Sequence, residues 1–177
     1  YVVGIGLPDS RMLLVAGGSA AQEAETGVNV LPATAIAVAG PSTVDKTVTL
    51  TPGGLNVLGR RLEVEADVTM TASGASTNTV RLTVTLNGVL ANLTTSISKS
   101  FGGAGSTTYK IRASAVVQVA GATGTLRTAQ EVTETAVAPA LAVSSISADL
   151  TGAIVVGATA GASAGTTTVQ NLIATLF

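Results

Sequence analysis

Residues 61–70 read Arg-Leu-Glu-Val-Glu-Ala-Asp-Val-Thr-Met, and apolar and polar side chains alternate along this whole stretch. Successive side chains of an extended chain point to opposite faces, so the aliphatic side chains and Met share one face while the acidic side chains and Thr share the other. The alternation predicts a β-strand with one buried face and one solvated face. It also decides the fold class, because the segments around it repeat the pattern.

The same period of two recurs on the C-terminal side of this strand. Residues 79–86 alternate Thr or Arg with Val or Leu, and residues 109–119 alternate Tyr, Ile, Ala and Val with mostly polar side chains. We predict a strand over each segment, with Val119 among the inward-facing residues of the second. Asn87-Gly88 supplies two residues that accept positive φ, as a type I′ hairpin requires. A further β-rich run is predicted over residues 89–97.

A weaker pattern follows in residues 125–135. The segment is rich in β-forming side chains, but Gln130 and Glu134 fall beside Leu126 and Val132 and blur the phase of the alternation. We interpret it as an edge strand or a bulged strand.

The last part of the chain predicts three more strands, at residues 145–150, 153–156 and 166–176. Gly and Ala dominate residues 157–165, and this composition is typical of a loop. The closing strand is predicted to return to the middle of a sheet.

Short strands separated by turn signals every ~8 to 12 residues are typical of a sandwich or a barrel. We predict an all-β fold, a two-sheet antiparallel jelly-roll sandwich, over residues 46–177. Residues 1–45 are assigned to an N-terminal arm and a possible first strand. Within them, residues 12–25 contain good helix formers, and residues 28–41 are either arm or first strand.

The composition excludes most kinds of chemistry. The chain has no Cys and no His, which removes thiol nucleophiles, imidazole bases, Cys/His zinc sites and disulfides. Charged residues make up 11% of the chain, against about 25% in a typical soluble domain. A surface this poor in charge is expected to be covered by other subunits. We predict an assembly component and no enzyme, with no catalytic residue, no metal and no cofactor.

Charge and hydropathy also argue against two kinds of partner. Nine Lys and Arg residues are scattered between ten Asp and Glu residues, and without a basic stripe we predict no nucleic acid partner. The longest apolar stretches, residues 28–40 and 152–165, are shorter than the ~20 residues of a membrane-spanning helix. We therefore predict no membrane partner. The first residues lack a basic segment followed by an apolar one, so no signal peptide is predicted.

Glu63, Glu65 and Asp67 are the strongest candidates for a chemical site. They lie on one face of the predicted strand at intervals of ~6.6 to 7 Å, a spacing that suits a hard cation or the paired carboxylates of a glycosidase. The alternative is a solvated strand face on which Arg81 or Arg112 pairs with the acids across strands. We adopt the solvated face, because nothing nearby in sequence supplies further ligands or an oriented acid.

Ser96 and Lys99 have the spacing of a Ser-x-x-Lys nucleophile motif, which needs both side chains on one helical turn. This segment is predicted to be a strand end, where positions i and i+3 face opposite sides. We therefore assign no nucleophile here.

Five segments resemble a known family in their order and spacing. They are residues 59–66, 80–88, 109–117, 122–126 and 169–172. A long strand that opens with a basic pair is followed by an Asn-Gly hairpin, a second long strand, a Gly-Thr turn and a closing amphipathic strand. In this order the chain from about residue 47 to 177 is similar to the jelly-roll domain of tailed-bacteriophage decoration and fibre-type proteins, which is related to the tumour-necrosis-factor-like trimer fold.

The resemblance implies a homotrimer of jelly rolls around a threefold axis, attached to a shell by a terminal arm and without catalytic residues. The chain departs from the family in its 2% of aromatic residues, so Val, Ala, Leu and Thr would have to form the trimer interface. The expected function is that of a capsid decoration (cement) protein on the outer surface of the virion capsid. Its partners would be the major capsid protein of a phage shell and further copies of itself.

An extended shell anchor is expected near the start of the chain. Its residues are Tyr1, Val2, Val3, Ile5 and Leu7, which precede Pro8 and would add to a neighbour's sheet edge. Two other functions stay open. One is a phage tail or fibre receptor-binding module with a shallow polar groove for a host glycan. The other is a bacterial surface or pilus structural module.

Overall fold

The computed structural model describes residues 34–38, 46–134 and 140–177, and all regular elements within those ranges are β-strands. Thr34–Leu176 forms one compact unit. Eleven strands are described: β1 Thr34–Val38, β2 Lys46–Leu50, β3 Arg61–Ala72, β4 Ser76–Leu86, β5 Val89–Asn92, β6 Ile97–Phe101, β7 Gly105–Val119, β8 Gly124–Glu134, β9 Ala140–Ala148, β10 Ile154–Ala162 and β11 Thr166–Leu176.

The strands form two antiparallel sheets. The six-stranded sheet has the order β9-β8-β7-β3-β11-β1, and the five-stranded sheet has the order β2-β10-β4-β5, with β6 also paired to β4. Strand β1 pairs with β11, β2 with β10, β3 with β7 and β4 with β5, so the first half of the chain pairs with the second half in reverse order. This nested pairing, rolled into two sheets, is a jelly roll. Strands β8 and β9 extend the six-stranded sheet beyond β7. The predicted two-sheet jelly-roll sandwich is confirmed.

The core lies between the sheets and follows the predicted alternation. The inward residues of β3 from 62 to 70 and of β4 from 80 to 86 are at most 1% exposed: Leu62, Val64, Ala66, Val68, Met70, Val80, Leu82, Val84 and Leu86. The two strands belong to opposite sheets, so the turn between them carries the chain across the sandwich. Each fully buried Val or Leu side chain contributes about 1.5–3 kcal/mol of transfer free energy. The interior therefore depends on many aliphatic side chains and few rings.

The Asn87-Gly88 hairpin forms as predicted. Asn87 has φ of 46° and Gly88 has φ of 86°, which is the pair of left-handed conformations of a type I′ turn. Leu86 pairs directly with Val89 across it.

The strand predicted to run from residue 89 to 97 is interrupted in the structure. Strand β5 ends at Asn92 and β6 begins at Ile97. Between them Leu93 is only 3% exposed, and the amide of Leu82 donates to the Thr94 hydroxyl over 3.0 Å. The amides of Leu93 and Thr94 still donate to Leu82 O of β4, but a leucine side chain enters the core here, which interrupts the ladder that the period-two pattern predicts.

Strand β8 is internal, between β7 and β9, so the prediction of an edge strand is wrong. The irregularity lies on its partner, where the register shifts between Val117 and Val119. Val119 is 49% exposed after this shift, although the alternation placed it inside.

The alternation of β8 looked blurred in the sequence because Gln130, a polar residue, occupies an inward position. Its amide oxygen accepts from the Thr95 amide over 2.6 Å, which satisfies a polar group that is 8% exposed.

Strand β10 continues to Ala162 through most of the segment predicted as a loop. Two positions of this strand, Gly157 and Gly161, are glycines at which threonine side chains of β4 approach closely. A Cβ at residue 157 would lie 2.9 Å from Thr83 Oγ1, and a Cβ at residue 161 would lie 3.0 Å from Thr79 Oγ1. Glycine inside a strand marks such close approach. Closing strand β11 is internal, as predicted, between β3 and the edge strand β1, one place from the edge of its sheet.

The described part of the N-terminal region is strand β1, which lies within residues 28–41 and pairs with β11. Of the two alternatives for that segment, the first strand is the one present at Thr34–Val38. The predicted helix at residues 12–25 and the arm lie outside the described residues. Across the ranges that the structure describes, no helix has the length and apolar character needed to cross a membrane.

Candidate docking surface

The predicted acidic stripe of β3 lies on the outer face of the six-stranded sheet, beside the cations of β7. Glu65 is opposite Arg112, and Asp67 is opposite Lys110. Arg112 Nε lies 2.6 Å from Glu65 Oε2, and Lys110 Nζ lies 3.2 Å from the same oxygen and 3.7 Å from Asp67 Oδ1. Glu63 pairs with the Arg61 guanidinium at 2.8 Å. Each carboxylate therefore has a cation beside it.

The protonation of Glu65 follows from two opposing effects. Burial raises the pKa of the carboxyl, but the hydrogen bonds and charges of Arg112 and Lys110 outweigh it and hold the pKa of Glu65 below its ordinary value. The same contact raises the pKa of the Arg112 guanidinium. Glu65 is thus an ionised, paired carboxylate and not a general acid. Arg81, the other partner considered, lies on β4 in the opposite sheet.

Metal binding and nucleophilic chemistry find no support in the described residues. No group of three or more His, Cys, Asp or Glu side chains within residues 34–38, 46–134 and 140–177 could hold a metal ion. Lys99 lies in extended strand β6 opposite Asn78, so it does not share a helical turn with Ser96. The stripe is a solvated face, as the cross-strand pairing predicted.

A depression of about 520 Å³ borders the acidic stripe. Side chains of β3, β7, β8 and β11 line it, among them Glu63, Glu65, Arg112, Ser114 and Glu131. The lining mixes both signs of charge and holds no aromatic ring on which a sugar could stack. The depression is a polar groove on the outer face of the six-stranded sheet, beside Glu65 and Arg112.

One end of the sandwich is built from four loops that bond to each other. The loops are residues 51–60, 87–88, 120–123 and 149–153. The connecting hydrogen bonds are Gly53 N to Gly152 O at 2.8 Å, Asn87 N to Ala153 O at 2.8 Å, Leu150 N to Gly121 O at 3.1 Å and Gly121 N to Asn56 Oδ1 at 2.7 Å. The four loops therefore form one continuous, braced surface.

This surface exposes most of the large apolar side chains that the described residues expose anywhere. Val57 is 43% exposed, Leu58 69%, Val89 60%, Leu90 64% and Val119 49%. All five lie in the four loops or on the strand residues that flank them, and we call these five residues the apolar end. The sixth exposed large hydrophobic side chain, Val143, lies on β9.

The two charged residues of these loops are tied to backbone and loop groups. Arg60 Nη1 donates to Gly54 O over 2.6 Å. Asp149 accepts hydrogen bonds from the Thr151 hydroxyl and amide and from the Asn87 amide group, which together lower the pKa of its carboxyl. These hydrogen bonds hold the charged groups against the loops, and the five residues of the apolar end remain exposed. Exposed apolar side chains that share one surface are a candidate contact surface for another protein.

Comparison with known protein families, with curated proteins and with solved structures found no match.

The outer face of the five-stranded sheet differs from that of its neighbour. Its outward residues on β2, β4 and β10 are mostly small and uncharged, and they include Thr47, Thr49, Thr79, Thr83, Thr85, Val155, Gly157 and Thr159. Leu90 of β5 pairs with Thr85 and faces the same way. Arg81 is the charged side chain on this face within the described strands.

Sequence reasoning missed the apolar end. Val57 and Leu58 lie in a glycine-rich segment without periodicity, and Val89 and Leu90 were assigned to a strand. A Val-Leu pair outside any periodic segment is the signal that could have indicated it. The anchor residues Tyr1, Val2, Val3, Ile5 and Leu7 lie outside the described residues, so the anchor stays a prediction.

Proposed function

We propose that the chain is a non-enzymatic virion structural protein, a capsid decoration (cement) protein that binds the major capsid protein on the outer surface of a phage head as a homotrimer. The observation that carries this proposal is the apolar end. Five large hydrophobic side chains are 43–69% exposed in, or on strand residues next to, loops that hydrogen bonds hold in place. Such a surface binds by burial and needs no cofactor.

The binding mechanism follows from interface physics. A specific protein interface of ordinary size buries ~1,600 Å² in total. Loops that are already braced lose little conformational freedom on binding, which favours affinity. Three copies that engage neighbouring shell subunits at once raise the overall affinity by about 10² to 10⁴ over a single contact. The weakly charged surface, with a formal net charge of −1, adds little repulsion between copies.

Shell binding tests the proposal directly. The purified chain is weighed in solution and then incubated with undecorated head shells of the virus that encodes it, and bound chain is measured by co-sedimentation. We expect a trimer that binds the shells. Leu58→Asp and Leu90→Asp should each weaken binding about tenfold or more, since burial of one Leu contributes about 1.5–3 kcal/mol.

The matched control is Thr159→Asp, an exposed position on the outer face of the five-stranded sheet. It should leave shell binding unchanged. A monomer that does not bind shells contradicts the proposal, and so does shell binding that the two leucine variants leave intact.

The polar groove beside Glu65 and Arg112 favours a second candidate, the receptor-binding module. In that case the chain would bind oligosaccharides of the host surface, and Arg112→Ala would abolish this binding. A glycan-binding assay on the same purified chain separates the two functions, because the decoration protein should bind shells and no glycan.

A further inference from the structure

The edge strands of the two sheets differ in length and in their protection against pairing, and one of them points to a further contact between two copies of the chain. Natural edge strands avoid unwanted pairing by being short, by carrying charges or Pro, or by a bulge. Strands β1, β2 and β6 have five residues each and β5 has four. Strand β9 is also an edge, but it has nine residues.

Strand β9 has none of the other protections either. It reads Ala-Leu-Ala-Val-Ser-Ser-Ile-Ser-Ala, without a charge or a Pro. Its pairing with β8 runs from Ala140 to Ala148 without a register shift, so no bulge turns it aside. Among the described strands, none pairs with its outer edge. A regular row of main-chain donors and acceptors is therefore open to a further strand.

The inner face beyond β9 is also incompletely covered. Ile146 is 8% exposed, but Ala142 is half-buried and Ser144 is exposed, although both point to the same face as Ile146. Small residues at these positions leave room at the margin of the core. A strand added here would be stabilised if it carried large apolar side chains on its inward face.

Residues 1–7 have that pattern. Tyr1, Val3, Ile5 and Leu7 would share one face of an extended strand, while Gly4 and Gly6 would lie on the other face beside Val2. The segment carries no charge, and Pro8 would end the pairing. Its seven residues fit within the nine of β9.

The position of β1 places the origin of the segment at the edge opposite β9, which favours a second copy as its source. Strands β1 and β9 are the two opposite edges of the six-stranded sheet, about 24 Å apart at ~4.8 Å per strand. The residues before Thr34 join the domain at the β1 edge. A segment that leaves one edge and pairs with the opposite edge of the next copy makes a head-to-tail contact, which forms a ring such as a trimer when the rotation between copies closes.

We propose that β9 is an acceptor edge for strand addition and that residues 1–7 of a second copy occupy it, with Tyr1, Val3, Ile5 and Leu7 facing the core margin. The proposal rests on the trimer of the proposed function and is independent of shell binding. It gives the predicted anchor a binding site on a neighbouring copy.

The chain has no Cys, so a disulfide formed in a cross-linking test can join only the introduced cysteines. One batch carries Gly4→Cys or Gly6→Cys, and a second batch of different mass carries Ser145→Cys on the outer face of β9. The batches are mixed, allowed to exchange subunits and oxidised. Paired strands bring Cα atoms within the 4.4–6.8 Å that a disulfide needs. We expect a disulfide between chains of different mass, about tenfold or more above a control with Thr159→Cys in place of Ser145→Cys.

Four outcomes would overturn the proposal. They are a yield equal to the Thr159 control, no cross-link at all, a cross-link formed within one chain that carries both substitutions, and a Ser145→Cys chain that dimerises through β9 alone. A chain that is trimeric and binds shells but gives one of these results would leave the proposed function standing and remove only the acceptor edge.

Discussion

Asn78 is the residue that ties the two sheets together at the end opposite the apolar end. It is 0% exposed on β4 and donates through Nδ2 to Thr71 O of β3 at 3.1 Å and to Thr166 O of β11 at 2.9 Å. Its Oδ1 accepts from the Ser76 hydroxyl over 2.6 Å. A fully satisfied buried amide of this kind stabilises one arrangement of the sheets over others.

Asn78→Ala should lower the free energy of unfolding by about 2–3 kcal/mol. The substitution leaves two partly buried carbonyl groups without their donor and opens a small cavity. Urea denaturation followed by circular dichroism measures the change. Asn92→Ala, at an exposed position of β5, is the control and should change stability by less than about 0.5 kcal/mol. Equal effects of the two substitutions would show that the bridge contributes nothing.

Lys46 is a buried cation, 6% exposed, whose Nζ donates to Val169 O at 3.3 Å and Gln170 O at 3.2 Å. These carbonyls flank the irregularity of β11 between Val169 and Asn171. Burial lowers the pKa of Lys46 below its ordinary value of 10.5. The unfolded chain therefore holds this proton more tightly than the folded chain, so folding stability increases as pH rises through the lowered pKa toward 10.5.

We expect this increase to disappear in Lys46→Met, which should also be less stable by about 1–2 kcal/mol because two carbonyl groups lose a charged donor. Urea denaturation of both chains over the alkaline range gives the two slopes. A Lys46→Met chain with the same pH dependence as the parent would assign the slope to other groups.

At the scale of the element, the β4–β5 hairpin depends on backbone conformation more than on contacts. Gly88 has φ of 86° and nothing lies within 4 Å of where its Cβ would be, so a side chain there meets no steric obstacle beyond its own backbone. Gly88→Ala should lower the free energy of unfolding by about 1 kcal/mol, the cost of the left-handed conformation for a residue with Cβ.

The control for this substitution is Gly74→Ala, at a turn glycine that also has nothing within 4 Å but no positive φ. It should be neutral or slightly stabilising, because alanine restricts the unfolded chain. Thermal unfolding of both variants decides the point. If both glycines tolerate alanine equally, the hairpin does not depend on the type I′ geometry.

At the scale of the whole molecule, the loop of residues 51–60 serves two purposes through two leucines three positions apart. Leu55 is 0% exposed and packs in the core, whereas Leu58 is 69% exposed. Leu55→Ala should cost about 2–5 kcal/mol of stability. Leu58→Asp should change stability by less than about 0.5 kcal/mol. Measurements of unfolding and of shell binding on both variants should therefore separate the two leucines. Leu55→Ala should change folding stability, and Leu58→Asp should change shell binding.

A large loss of stability in Leu58→Asp would show that this side chain supports the fold and would weaken its assignment to a docking surface. Unchanged stability in Leu55→Ala would contradict the packing of the loop against the core.

Properties that depend on neighbours along the chain could be predicted from sequence. The inward faces of β3, β4 and most of β7 follow from the alternation of side chains, and the Asn87-Gly88 turn follows from the φ values that those two residues accept. The cross-strand pairing of Glu65 with Arg112 was also within reach, because both lie on the polar faces of long alternating strands. These features depend on local backbone geometry, which the residue types along the chain determine directly.

Properties that depend on residues far apart in sequence appeared only with the tertiary structure. Strand β8 is internal because β9 pairs with its second edge, and Gly157 belongs to a strand because Thr83 adjoins it. The apolar end exists because four loops, separated by up to about a hundred residues, meet at one end of the sandwich. The sequence alone thus determined which side chains face inward along most strands. Tertiary contacts decided which edges stay open and which side chains stay exposed, because pairing and burial depend on distant partners.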